Sequence, residues 1–238
     1  MSGFPPSRSG DGSPLRVLAL LSGGKDSVAA AEVARGFGWD VVASLVMVPA
    51  EDDAWMFHTP NLAVVQGVAQ CLGMPLIEAP CRSGADNEVA DLETALAKAK
   101  EEFRLDGLVS GALASEYQKT RIDAIGHRLG LKTFAPLWHK EPAPYLRSLI
   151  AGGYDIRFSR VAAEGVPLSW AGQRLDGAKI QAMEGHAARP HVAGEGGEYE
   201  TLVLAAPHYR GRIEVRKAHV EATATRATWV VDEWGVVP

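Results

Sequence analysis

Short aliphatic runs alternate with longer amphipathic or alanine-rich stretches through the first half of the chain. Leu15 to Leu21 is apolar and, apart from Arg16, uncharged, the pattern of a strand buried in a parallel sheet. Ser22-Gly23-Gly24-Lys25-Asp26-Ser27 interrupts it as a polar turn, and Ser27 to Phe37 reads as helix with Asp26 or Ser27 as its cap. Asp40 to Val48 predicts a second buried strand, closed by the acidic loop Pro49 to Asp53. Trp55, Met56, Phe57, His58 and Asn61 open a helix that runs to about Leu72. Pro75 to Ala79 is a short third strand, Asp86 to Phe103 an amphipathic helix with a solvated charged face, and Gly107 to Leu113 a fourth strand. Ser115 then caps a polar helix, and Leu129 to Trp138 returns to the sheet. Strands alternating with helices at this interval predict a parallel sheet with right-handed crossovers.

The second half changes pattern. Glu141 to Ile150 reads as helix and Gly152-Gly153 breaks it. Asp155 to Ala163 is a strand, Gly165 to Trp170 a turn-rich link, Leu175 to Glu184 a short helix, and Leu202 to Ala205 a strand. Arg212 to Val220 and Ala222 to Val231 then read as an antiparallel pair. Pro136, Pro142 and Pro144 punctuate a border, which divides the chain into 15–135 and 136–238. Residues 1–14 are rich in Ser, Gly and Pro and read as a disordered extension.

Composition removes several function classes. A net charge of -5 gives no basic surplus for bulk nucleic-acid or anionic-membrane binding. Cys71 and Cys81 form no CxxC pair and no disulfide framework, so they read as buried thiols. No apolar run reaches membrane-spanning length and no signal-peptide core precedes Leu15, so a cytoplasmic location is expected.

Three places carry chemistry. A strand running through Gly23 and Gly24 into a helix N-terminus presents backbone N–H groups and a positive dipole end, and Lys25 adds a mobile ammonium. The spacing fits neither a Walker A loop nor G-x-G-x-x-G. SGGKDS instead resembles the PP-loop of the ATP pyrophosphatases, which cleave ATP between its α- and β-phosphates. The second place, Ser110 to Arg121, follows the fourth strand, where open α/β sheets gather ligands. Tyr117, Gln118 and Arg121 recur there at helical spacing. In the third, His191 to Thr201, three glycines interleave with Glu195, Glu198 and Glu200, as a close approach to a ligand, a cation or a ribose would need.

Taken together, SGGKDS, SGALASEYQKTRIDAIGHRLGLKTFAPLW and HVAGEGGEYETLVLAAP resemble the diphthine–ammonia ligase family from Leu15 to about Arg212. One departure is Ala205, where the family often has Asp. The resemblance implies an α/β fold: a Rossmann-like parallel sheet of the PP-loop type with helices on both faces, plus a smaller C-terminal α/β domain. It also implies ATP-dependent amidation of diphthine on translation elongation factor 2, with ammonium as donor and an acyl-adenylate on the way to AMP and pyrophosphate. Ser22, Gly23, Gly24, Lys25, Asp26, Ser27, Gly111 and Ser115 are then expected to bind ATP, with Asp26 on Mg²⁺. Tyr117, Gln118, Arg121, Gly196, Gly197, Tyr199 and Glu200 fall to the substrate, Tyr199 against the modified histidine ring. Lys25, Asp26, Glu195 and Glu198 are the expected catalytic groups, and E198Q is expected to cut amidation more than ATP binding. No nucleic-acid or membrane partner is expected, and a homodimer is left open. Two other readings stand beside this one: an amide ligase for a different carboxylate such as a cofactor precursor, and a nucleotide-binding module without turnover.

Overall fold

The computed structural model describes residues 12–49 and 61–238. Most of the expected N-terminal extension therefore lies outside the described residues, as do the acidic positions Glu51 to Asp53 and the cluster Trp55 to His58. The described residues form two compact units, one of residues 12–22, 26–49 and 74–138, the other of 23–25, 61–73 and 139–238.

The first unit is built on five parallel strands: β1 (Arg16–Leu20), β2 (Asp40–Pro49), β3 (Leu76–Cys81), β4 (Gly107–Val109) and β5 (Lys132–Phe134). They lie in the order β3-β2-β1-β4-β5. The chain starts at the centre, winds out to one edge, then restarts on the other side of β1. The winding therefore reverses between β1 and β4, and in open α/β sheets a ligand crevice lies beyond the carboxyl ends of such a strand pair. Helices α1 (Lys25–Gly36), α3 (Ala85–Phe103) and α4 (Glu116–Leu129) make the crossovers assigned to this unit. In α3 the buried positions Glu88, Leu92, Ala95, Leu96 and Ala99 follow the helical period, which is why this charged segment still folds as one long helix. Its stripe closes a core with Leu18, Leu45, Leu108 and Ile125.

The second unit carries a four-stranded sheet in the order β7-β6-β9-β8. Its strands are β6 (Asp155–Val161), β7 (Tyr199–Ala205), β8 (Arg212–Ala222) and β9 (Ala227–Val237), all paired antiparallel. Helices α2 (Leu62–Leu72), α5 (Pro142–Ala151) and α6 (Gly177–Gly185) belong with it, as does a 3-10 turn at Leu168–Trp170. Asn61 heads α2 in the left-handed region at φ 62°. Its side-chain amide donates to Trp229 O and accepts from Val231 N–H, both at 2.8 Å, so it serves β9 as a one-residue strand partner.

Among the expected bounds that shift, four do so for evident local reasons, while the last strand also runs on past Val231 to Val237. The fourth strand stops at Val109 rather than Leu113, because the chain at Gly111 leaves the sheet to pack on the start of α1. The fifth keeps only Lys132 to Phe134, cut short by the turn that begins at Ala135. β7 starts at Tyr199, ahead of Leu202, since Tyr199, Glu200 and Thr201 already pair with Val161, Arg160 and Phe158. The last strand starts at Ala227, after a turn in which Thr223 N–H donates to Arg226 O at 2.8 Å.

Candidate active site

Within the first unit, the loop after β1 and the segment after β4 meet. Gly111 lies so close to the start of α1 that a Cβ there would come within 2.7 Å of the Asp26 carbonyl carbon and the Ser27 nitrogen. Ser27 does not cap α1, which already begins at Lys25. Its hydroxyl turns back instead, accepting the Ser22 N–H at 3.2 Å and meeting the Ser22 hydroxyl at the same distance. Asp26 sits in the first turn of α1, where a carboxylate faces the positive end of the helix. Ser115 caps α4 by accepting from Gln118 N–H at 3.3 Å. The Arg121 guanidinium stacks 3.4 Å over the Tyr117 ring centroid and donates to Tyr117 O, so it lies back along its own helix. The Tyr117 hydroxyl is buried and has no hydrogen-bond partner among the described residues.

In the second unit, Gly23 to Lys25 is tied to β7 and the glycine-rich loop before it. Gly23 takes φ 77°, a conformation open to glycine, and its carbonyl accepts Val203 N–H at 3.0 Å. Lys25 N–H donates to Thr201 Oγ1 at 3.1 Å, which satisfies one of the N–H groups a helix start leaves over. The expected mobile ammonium is a fixed one: Lys25 is 4% exposed, and its Nζ donates to Ala193 O at 2.6 Å and stands 5.1 Å from the Tyr199 ring centroid. Tyr199 cannot meet an incoming histidine ring. It is 2% exposed, packs on Phe158 and donates its hydroxyl to Val192 O at 2.6 Å. Glu198 is occupied by its own loop, accepting His191 N–H at 3.0 Å on one carboxylate oxygen and Gly196 N–H at 2.8 Å on the other. Gly197 N–H closes the same turn onto Gly194 O. Glu195, whose N–H donates to His191 Nδ1, and Glu200, opposite Arg160, are partly buried.

The first unit thus gathers Ser22, Asp26, Ser27 and Gly111, with Ser115, Tyr117, Gln118 and Arg121 following on α4. The second gathers Gly23, Lys25 and the 191–200 loop. Thr201 and Ala193, which hold Lys25, are the residues that sequence reasoning missed. Thr201 stands inside the GEGGEYET block, but a β-branched residue in a strand reads first as packing. Cys71 and Cys81 are buried and unpaired. Burial pushes the Cys71 thiol up, and burial together with the charges of Glu88 and Asp91 pushes Cys81 up to about 11. Neither is therefore a thiolate nucleophile at neutral pH.

Two family models match along the chain, the diphthamide synthase N-terminal domain over residues 15–133 and the diphthamide synthase C-terminal domain over 141–236. A diphthine–ammonia ligase of Danio rerio is 31% identical over 230 residues, covering 89% of this chain and 88% of its own. The chain belongs to the diphthine–ammonia ligase family. Its Homo sapiens relative of the same name is 31% identical over 226 residues, covering 87% of this chain and 85% of its own. In the Schizosaccharomyces pombe ligase, 30% identical over 216 residues, the match takes up 36% of a longer protein. Among solved structures, a predicted subunit of tRNA methyltransferase from Methanocaldococcus jannaschii shares a TM-score of 0.45 and 15% identity over 81% of this chain and 97% of its own. Among the described residues no helix is long and apolar enough to cross a membrane.

Proposed function

We propose that this chain converts the carboxylate of diphthine, a modified histidine on translation elongation factor 2, into the amide of diphthamide, using ATP and ammonium. The observation that carries this reading is the bonding of SGGKDS to the HVAGEGGEYETLVLAAP block, through Gly23 to Val203 and through Lys25 to Thr201 and Ala193. Two motifs far apart in the chain thereby become one constellation in a family whose curated relatives are diphthine–ammonia ligases.

A carboxylate is a poor electrophile, so one of its oxygens attacks the α-phosphorus of ATP and the bond to the bridging oxygen breaks, releasing pyrophosphate. Ammonia then attacks the acyl carbon, AMP leaves, and the nitrogen sheds a proton. In this reading Ser22 to Ser27 hold the triphosphate, and the fixed Lys25 charge offsets charge that builds on the leaving pyrophosphate. Gly111 and Ser115 shape the start of α1 and α4 beside that loop. The orphaned Tyr117 hydroxyl and the stacked Arg121 take the substrate, with Gln118 beside them. Glu195 and Glu200 orient ammonium or accept its proton, with Gly196 and Gly197 letting the loop backbone close on it, while Glu198 holds that loop.

No group of three or more His, Cys, Asp or Glu side chains among the described residues is placed to hold a metal. Asp26 alone fits the way Mg²⁺ is usually held, by one or two carboxylates with phosphate oxygens and water, and the ion would supply charge neutralisation there. Buried protonated thiols support free ammonium as donor over a glutaminase step. A cytoplasmic location and the elongation factor as partner belong to the same proposal. The test is pyrophosphate release from ATP with ammonium, with and without diphthine-bearing elongation factor 2, and mass spectrometry of the factor. Factor-dependent release with hydroxyl replaced by amine supports the proposal; release without that mass change overturns diphthine as the acceptor.

A further inference from the structure

A groove of about 640 Å³ opens in the second unit between the end of β6, the 3-10 turn, α6 and the tip of the β8–β9 hairpin. One wall is continuous with the block that fixes Lys25: Ala162, in the groove, donates its N–H to Glu198 O at 2.9 Å, and the preceding Val161 pairs with Tyr199. Val166 and Leu168 make the lining apolar. Trp170 adds a flat ring, half-buried and backed by Phe158 at 5.5 Å between centroids. A cation already stands near that ring, Lys179 Nζ at 5.8 Å from its centroid, tethered to Asp176 at 2.7 Å. Against this lining stands Glu164, exposed, its carboxylate without an ion-pair or hydrogen-bond partner among the described residues.

A largely apolar slot that also holds the Trp170 ring, the His186 imidazole and the Glu164 carboxylate fits a flat ring that carries N–H donors and partial positive charge. Cavities of roughly 300–1,000 Å³ bury ligands of ordinary size, so this groove has room for a substituted imidazole and its flanking backbone. We propose that the groove is the acceptor subsite: it takes the modified histidine of the protein substrate, with the ring stacked on Trp170 and a ring nitrogen donating to Glu164. This rests on the function proposed above and adds to it where the acceptor seats. It also relocates the ring contact that Tyr199, being buried, cannot make.

Calorimetric titration of diphthine-bearing elongation factor 2 into the full chain, without ATP, reads binding apart from turnover. E164Q removes the charge at an exposed site with no fold partner and should weaken binding roughly tenfold. A182W, from an exposed position of α6 lining the groove, should fill it and abolish measurable binding, with the urea midpoint unchanged. Both variants should keep the wild-type affinity for ATP. Variants that bind the factor like wild type while wild type amidates it overturn the groove and leave the function standing. Variants that lose binding while wild type binds without amidating support the groove and overturn the function. A wild-type chain that does not bind the factor overturns the groove assignment.

Discussion

G111A is the sharpest single test of how the nucleotide loop is built. The new methyl would sit 2.7 Å from two backbone atoms of residues 26 and 27 and 3.0 Å from the Asp26 carbonyl oxygen, where ordinary contact begins at 3.4 Å. Backbone cannot swing aside as a side chain does, so the start of α1 must retreat by about 0.7 Å or the 110–115 segment must. Overpacking of this kind costs roughly 1–3 kcal/mol of stability. A displacement approaching 1 Å in a phosphate cradle costs on the order of a hundredfold in turnover. Two measurements check this: the urea midpoint with its slope, and ATP affinity by calorimetry beside the pyrophosphate-release rate. The expected result is a midpoint lowered at constant slope, with weakened ATP binding and a larger fall in rate. A G111A protein with wild-type midpoint, affinity and rate would refute the claim that this close approach positions the loop.

Further outcomes follow from other contacts. N61A leaves Trp229 O and Val231 N–H unpaired and should cost about 1–3 kcal/mol in urea unfolding; N61G, which keeps the left-handed backbone at no strain, should lose nearly as much if the hydrogen bonds matter more than φ. E198Q replaces one of two accepting oxygens with a donor facing a backbone N–H, so the loop that carries Ala193 should loosen and ATP affinity should fall together with amidation; a loss confined to amidation would return Glu198 to the chemistry. The hydrogen bond to Asp232, then that to Glu221, holds the exposed His219 imidazolium above its ordinary value of 6.5. Its stabilising contribution is full below that value and is lost as pH rises through the raised one, so D232N should lower the His219 midpoint by NMR titration and reduce stability at acid pH, not at alkaline pH.

Much of this architecture is legible in the residues. Apolar runs of the right length fix the parallel strands, Ser115 announces α4, and the last two strands pair as their pattern says. What periodicity does not reveal is which partner a polar atom finds across a long sequence interval. Lys25 reads as mobile because the carbonyl that takes its ammonium proton, Ala193 O, lies 168 residues further along the chain. Tyr199 and Glu198 sit in a glycine-rich block that reads as a ligand loop, yet one fills the core and the other braces the turn. Gly111 is a strand residue to a reader of patterns; only its approach to residues 26 and 27 explains why the strand ends before it. The groove at Trp170 is composed of three separate stretches of chain, none of which is unusual by itself.

The allegiance of Gly23 to Lys25 has a consequence for how this protein can be taken apart. These residues, and α2 after them, group with elements from the far end of the chain although they are translated among the first unit's strands. A gene fragment ending near residue 135 would encode the whole SGGKDS motif without Thr201, Val203 or Ala193 to shape it. Such a fragment inherits the letters of a nucleotide loop and not its geometry. Recombination between relatives is constrained in the same way: a crossover placed at the apparent border exchanges the motif's scaffold along with the C-terminal half. The two blocks have to be inherited as one trait.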